Sequence, residues 1–424
     1  MTPSSRSIQN TYLLLLLLQT LASSLIWGIN TLFLLDAGLS NTQAFVANAF
    51  FTAGMVLFEV PTGVVADTRG RRTSYLLGTL TLAFSTILYY WMWSLSAPLW
   101  AWAVVSMLLG LGFTFFSGAV EAWLVDALTF TGYLREGGTL ESVLAKGEIV
   151  VGVAMLGGSM AGGVIAQATN LGVPYLLRSA VLVGAFVGAF VLMRDTGFTP
   201  RRGLRLSDEV TSVWRGAIAN GLANPRVRWV MLAAPFTGGV NIFAFYAMQP
   251  YLLEMYGDEH AYGIAGLAAA IVAGAQIAGG LAVPHLGRVF RRRTSVLIAG
   301  TSVGAAMLAV IGIVPHFWTV LALFVLWGLM FAAVTPVRQA YLNSLIASNA
   351  RATVLSFDSL MASTGAVGVQ PILGKTADVW GYPAAYLGSA VVQAMAVPFL
   401  WFARREHAAA DVMDEAAGTP GPGR

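Results

Sequence analysis

Long apolar runs, each ended by a short polar interval, follow one another along nearly the whole chain. They lie at about 11–36, 44–66, 73–95, 98–126, 139–167, 173–194, 227–254, 262–286, 294–314, 317–345, 352–374 and 383–403. A helix needs about 20 apolar residues to cross a bilayer core, so the pattern predicts twelve membrane-spanning helices. Helices are required because lipid offers backbone groups no partner, and no run shows the two-residue alternation of a barrel strand. The fold class that follows is an all-α polytopic membrane protein. The longest polar interval splits the spans into two sets of six. The expected organisation is a bundle over 1–195, a linker over 196–226, a second bundle over 227–404 and a tail over 405–424. The tail ends Gly-Thr-Pro-Gly-Pro-Gly-Arg and is expected to be disordered.

Composition agrees with lipid as the main solvent. The chain of 424 residues is 57% hydrophobic and 10% charged, against about 25% charged in soluble domains. With no cysteine, disulfides, thiol catalysis and Cys-ligated zinc are excluded. His260, His285, His316 and His407 lie too far apart for a metal-ligand spacing, so no metal or cofactor is expected. The apolar stretch Leu13 to Leu35 is too long for a cleaved signal. With the N-terminus inside, alternating loops put 20 of the 24 basic residues on one side. That asymmetry predicts a cell-membrane protein with both termini cytoplasmic, and the basic residues report orientation rather than nucleic-acid binding. Arg178 and Lys375 fall near the outside, while Lys146 and Arg338 fall within spans.

Within the linker, Ser207 can cap a helix with Asp208 and Glu209 in its first turn and Val210, Val213, Trp214, Ala217 and Ile218 on one face. Beside its arginines this reads as an amphipathic helix on the membrane surface, or as an ordinary connector. The halves also repeat. Gly28-Ile-Asn30 answers Gly239-Val-Asn241, Glu121-Ala-Trp-Leu124 answers Gln339-Ala-Tyr-Leu342, and Gly158-Ser-x-x-Gly162 answers Gln370-Pro-x-x-Gly374. Three matches in order, about 210–220 residues apart, indicate a parallel duplication of the kind that builds a central transport site.

The loop between spans 2 and 3 reads Gly63-Val-Val-Ala-Asp67-Thr-Arg69-Gly70-Arg71-Arg72. It resembles the signature loop of the major facilitator superfamily (MFS), Gly-x-x-x-Asp-x-x-Gly-Arg-Arg, and the span count, duplication and central linker extend the resemblance over the chain. The resemblance implies twelve spans in two pseudo-symmetric six-helix bundles, and a gate in which Gly63 and Gly70 shape the turn while Asp67, Arg71 and Arg72 lock helix ends. It also implies that Asp126, at the end of span 4, pairs with Arg71. The second-half counterpart, Gly280 to Gly287, lacks the acid. Phe58 to Gly63 and Ser117 to Leu124 resemble bacterial drug:proton antiporter (multidrug efflux) branches. Gly158-Ser159-Met160-Ala161-Gly162-Gly163 is similar to the antiporter signature of span 5, with serine in place of proline. Gly368 to Thr376 looks like a P-loop but has one residue too many between its glycines, so no nucleotide is expected to supply energy.

Ionisable residues inside spans cost at least ~2.5 kcal/mol each and are functional candidates. Glu148, Glu121, Glu59 and Asp358 are candidates for proton coupling, each with a paired structural acid as the alternative. Glu121 and Arg338 sit at similar depth in duplicated spans, and are expected to pair as a gate or else each within its own half. Asn30, Asn241, Gln249, Tyr246 and Trp27 lie on spans 1 and 7, which line the cavity in the fold the resemblance implies, and are candidates for substrate contact. Small residues along spans 5 and 8 predict a close contact between them. The expectation is a monomeric secondary transporter that exports small hydrophobic or amphipathic compounds against protons by alternating access. The alternatives are proton-linked nutrient uptake and a non-transporting MFS-like receptor or lipid-handling protein. No nucleophile–base pair or metal site supports an enzyme.

Overall fold

The computed structural model describes residues 4–116, 118–135, 137–200, 210–211, 215–216, 218–281, 283–347 and 350–413. Helices account for nearly all of it: α1 (Ser5–Trp27), α2 (Asn30–Asp36), α3 (Asn41–Arg69), α4 (Arg71–Ser94), α5 (Leu99–Thr114), α6 (Ala119–Phe130), α7 (Leu140–Ala168) and α8 (Val173–Leu192), then α9 (Pro225–Tyr256), α10 (Tyr262–Leu281), α11 (Val283–Val289), α12 (Arg293–Ile313), α13 (Phe317–Leu345), α14 (Arg351–Ala394) and α15 (Ala396–Arg405). Among the described residues, eleven helical stretches are long and apolar enough to span a bilayer, the last covering 53 residues from Thr353 to Arg405. At 1.5 Å per residue that stretch is about 80 Å long, far more than a ~30 Å hydrocarbon core. Gly381 breaks it at φ 80°, ψ 169°, so it divides into two segments that are each long enough to span, which brings such segments among the described residues to twelve.

Breaks in two of the predicted spans bear on candidate residues. Span 1 stops at Trp27 and restarts at Asn30, with Ile29 at φ −133° and ψ 4°. Span 4 is interrupted before Gly118, which takes the left-handed φ of 65° that glycine adopts without strain. The restart as α6 puts Glu121 in a first helical turn, where the backbone N–H dipoles favour a carboxylate. Other ends are set by caps. Ser40 accepts from the Gln43 backbone while the Gln43 side chain accepts from the Ser40 backbone, a reciprocal capping box that starts α3.

The chain divides into two compact units, residues 1–210 with 246–270, and residues 211–245 with 271–424. In the first unit α1 packs on α7 and α8, α3 on α5, and α4 on α5 and α8. Small residues set the closest approach. A Cβ on Gly163 of α7 would stand 2.8 Å from the Gly266 Cα on α10, in the stretch that belongs to this unit. Span 5 therefore meets span 8 at Gly163. Gly158 instead faces Ser24 of α1. In the second unit α12 packs on α13, α14 and α15.

Part of the tail expected to be disordered is packed. Residues 406–413 include a short 3-10 turn at Ala409–Asp411 and a bridge between Arg292 and Val412. The expected start of the linker helix, Ser207 to Glu209, lies outside the described residues, as do Val213, Trp214 and Ala217. Ile218–Leu222 forms a π-helical turn.

Candidate functional site

The first unit encloses a cavity of about 310 Å³. Its polar lining begins at the break in span 1. Restarting the helix at Asn30 sends that side chain sideways, where its Nδ2 donates to the Asn48 Oδ1 at 3.2 Å. The Tyr175 hydroxyl donates to the Asn30 Oδ1 at 3.0 Å. The Asn48 Nδ2 lies buried with no partner. Three residues after Tyr175, and so on the same helical face, Arg178 enters the lining. Only 6% of Arg178 is exposed, and its Nε has no hydrogen-bond partner.

Aromatic rings make up much of the remainder. Trp27, Phe51, Tyr89, Phe113, Tyr175 and Tyr246 all line the cavity. The Trp27 indole is hydrogen-bonded to the Tyr246 hydroxyl, and the Tyr89 and Ser106 hydroxyls share a short hydrogen bond. Behind the wall Phe33 stacks on Tyr175 at 3.8 Å between centroids. The wall is thus a fixed aromatic frame holding an amide and a guanidinium.

Of the residues expected at a substrate site, Trp27, Asn30 and Tyr246 line this cavity. Gln249 is fully buried and does something else. Its Oε1 accepts from the Thr31 N–H at 3.0 Å and its Nε2 donates to the Trp27 carbonyl at 2.8 Å, so it fills the two backbone vacancies left by the break. Asn241 lines a pocket of about 80 Å³ in the second unit with Arg338 and Gln393.

The charged candidates separate in the same way. Arg338 and Asp358 form a bidentate ion pair, Nη1 to Oδ2 at 2.7 Å and Nη2 to Oδ1 at 2.6 Å. Arg338 Nη2 also donates to the Val230 carbonyl at 3.3 Å. Arg338 thus has a partner within its own half, the second of its two expected readings, and that pair engages both oxygens of Asp358, a proton-coupling candidate. Glu121 and Glu148 are exposed, and both act electrostatically on the Tyr12 phenol, so spans 4 and 5 bring two proton-coupling candidates to one side chain of span 1. Glu59 is half-buried near Pro61. The backbone there is served by Thr62, whose hydroxyl donates to the Phe58 and Glu59 carbonyls. Among the described residues no group of His, Asp or Glu could hold a metal ion.

The family model of the Major Facilitator Superfamily matches residues 12–301 and 260–418. The chain belongs to this superfamily. Solved structures similar to this MFS protein include the nucleoside transporter NupG, with TM-score 0.76 and 10% identity over 94% of this chain and 98% of that one. A bacterial homolog to the human lysosomal transporter Spinster, inward-facing and unoccupied, gives TM-score 0.71 and 13% identity over 98% and 100%. A POT family transporter in complex with a thioalcohol-conjugated peptide gives 0.69 and 12% over 94% and 96%. At these identities the likeness is one of fold. No curated protein matches the chain.

The MFS signature loop adopts its own geometry here. Gly70 turns at φ 102°, and a Cβ there would strike the Asp195 carboxylate. Asp195, just past span 6, accepts from the Arg72 N–H at 2.8 Å and so caps α4. Arg72 Nη2 donates to the Phe190 carbonyl at 2.7 Å. Arg71 pairs with Asp67 one turn before it, at 2.7 Å. Asp126 lies within electrostatic reach of Arg71, and among the described residues the two form no direct ion pair in this arrangement. Gly63 has open space around it. Sequence reasoning missed Asp195 and Arg178. Both stand near span ends, where a charge ordinarily reaches solvent.

Proposed function

We propose that this MFS protein is a proton-coupled exporter of small, partly hydrophobic compounds. It works in the cell membrane as a monomer, with both termini cytoplasmic, by alternating access. The observation that carries the reading is the cavity of the first unit. Aromatic and aliphatic walls with a few polar groups suit a compact amphipathic molecule, and ~310 Å³ stands at the small end of the usual range for ligand pockets. Glu121 and Glu148, disposed about Tyr12, are the groups we assign to proton exchange. The signature-loop residues Asp67, Arg71, Arg72, Gly63 and Gly70, with Asp126, are assigned to gating.

The test is reconstitution in proteoliposomes with an imposed pH gradient and a panel of amphipathic compounds and nucleosides. Export predicts substrate movement opposite to proton flow, abolished by a protonophore and reduced at least tenfold by combined Glu121→Gln and Glu148→Gln. Movement of substrate and protons in the same direction would establish uptake instead. Transport of no compound by protein that binds them would support a receptor.

A further inference from the structure

The unmet hydrogen-bonding capacity of the cavity is all of one kind. Among its lining residues the two buried polar atoms without a partner are Arg178 Nε and Asn48 Nδ2, both donors. No aspartate or glutamate lines the cavity. The side chains acting electrostatically on Arg178 are Tyr175, Tyr246 and Tyr89, and no carboxylate is among them. A buried guanidinium with no counter-ion is costly, and buried charges are ordinarily paired. Here the fold supplies the cation, an amide donor and a cavity, and leaves the anion out.

We propose that this cavity is an organic-anion site. Arg178 and Asn48 hold the acid group of a small ligand whose apolar body lies among Trp27, Phe51, Phe113 and Met155. A guanidinium presents a planar fork of donors that fits a carboxylate or a similar oxyanion. Asn48 can donate because its oxygen is already committed to Asn30, which leaves the Nδ2 hydrogens for a ligand acceptor. The fixed aromatic frame selects an aryl or branched aliphatic body over a highly hydrated one. The proposal names the substrate class for the exporter reading and rests on that reading for the direction of movement, while binding stands independently of it.

The test measures binding to purified full-length protein by calorimetry, using benzoate, benzamide and benzamidine. These probes share one ring and carry an anionic, a neutral and a cationic head. Benzoate is expected to bind at least tenfold more tightly than benzamide, with benzamidine weakest. Arg178→Gln should bring benzoate to the level of benzamide, and Arg178→Lys should keep part of the preference. Asn48→Asp is the second variant. It retains the acceptor for Asn30 but fills the site with a carboxylate, and should weaken benzoate at least tenfold even if Arg178→Gln fails to fold. Equal affinity of the wild type for benzoate and benzamide overturns the proposal, as does an undiminished preference for benzoate in folded variants. A benzoate preference without proton-driven export of any compound retains the site and removes the exporter reading. Export without that preference does the reverse.

Discussion

The Asp411 carboxylate holds Thr294 at two points, accepting from its backbone N–H at 2.8 Å and its hydroxyl at 2.9 Å. Thr294 is the second residue of α12, which opens span 9. In the first half Asp195 grips the second residue of α4, Arg72, also at 2.8 Å from the backbone N–H. An acid placed beyond the last span of each half thus caps the third span of that half. The second-half loop has lost the acid of the MFS signature, yet the two halves share this cap. The tail is held further by Arg293, which donates to the Ala410 carbonyl, and by the Met413 N–H, which donates to the Arg291 carbonyl at 3.0 Å.

Asp411→Ala should therefore release residues 406–413 as well as uncap α12. Loss of a capping side chain costs about 0.5–2 kcal/mol. The expected result is a lower thermal midpoint in detergent and faster backbone hydrogen exchange over 406–413. Truncation after residue 405 should lower the thermal midpoint likewise. A tail whose exchange is equally fast in the wild type and in Asp411→Ala would show that the cap does not hold it.

The spans were legible because hydropathy over twenty residues records lipid exposure directly, and the break at Gly381 fell where two predicted spans meet. Side-chain partners were not legible. The Arg338–Asp358 pair joins neighbouring spans whose rotation about their axes is set by packing, and apolar residues on every face of a span conceal that rotation. Arg178 read as an outer basic residue because a charge six positions into a span can reach water by extending its stem. Only the surrounding tyrosines show that it turns inward. For Asp411 a signal was present and unused: Asp195 and Asp411 each follow the last span of their half. The low-complexity end of the tail masked the second.

Gln249 replaces two missing hydrogen bonds at the break in span 1, and its buried carboxamide needs both a donor and an acceptor there. Gln249→Leu should destabilise the protein by about 1–3 kcal/mol for each backbone group left unsatisfied. Gln249→Glu gives a sharper readout. Protonated glutamate can still donate to the Trp27 carbonyl and accept from Thr31, whereas its carboxylate meets a carbonyl oxygen. The folded state then holds the proton more tightly than the unfolded state, so stability is full at low pH and declines as pH rises above the ordinary glutamate range of about 4.3. Thermal midpoints from pH 4.5 to 8 should fall for Gln249→Glu relative to the wild type. Parallel profiles would mean that the Nε2 bond contributes nothing.

Arg338 and Asp358 should behave as one buried unit with unequal partners. The Asp358 side chain is 9% exposed and that of Arg338 is 24% exposed. Breaking such a pair from one side costs about 3–5 kcal/mol, because the survivor is left charged and unpaired. The deeper survivor suffers more, so Arg338→Leu, which strands the carboxylate, should destabilise more than Asp358→Leu. Arg338→Leu combined with Asp358→Leu removes both charges and should recover most of the loss, since a buried ion pair replaced by apolar side chains is often neutral in stability. Thermal unfolding of the four proteins in one detergent supplies the coupling energy. Loss in the double variant equal to the sum of the singles would show that the two charges are held independently. Recovery with wild-type transport would show that the pair stabilises the second unit without carrying protons, whereas recovery with uncoupled transport would return Asp358 to the proton pathway.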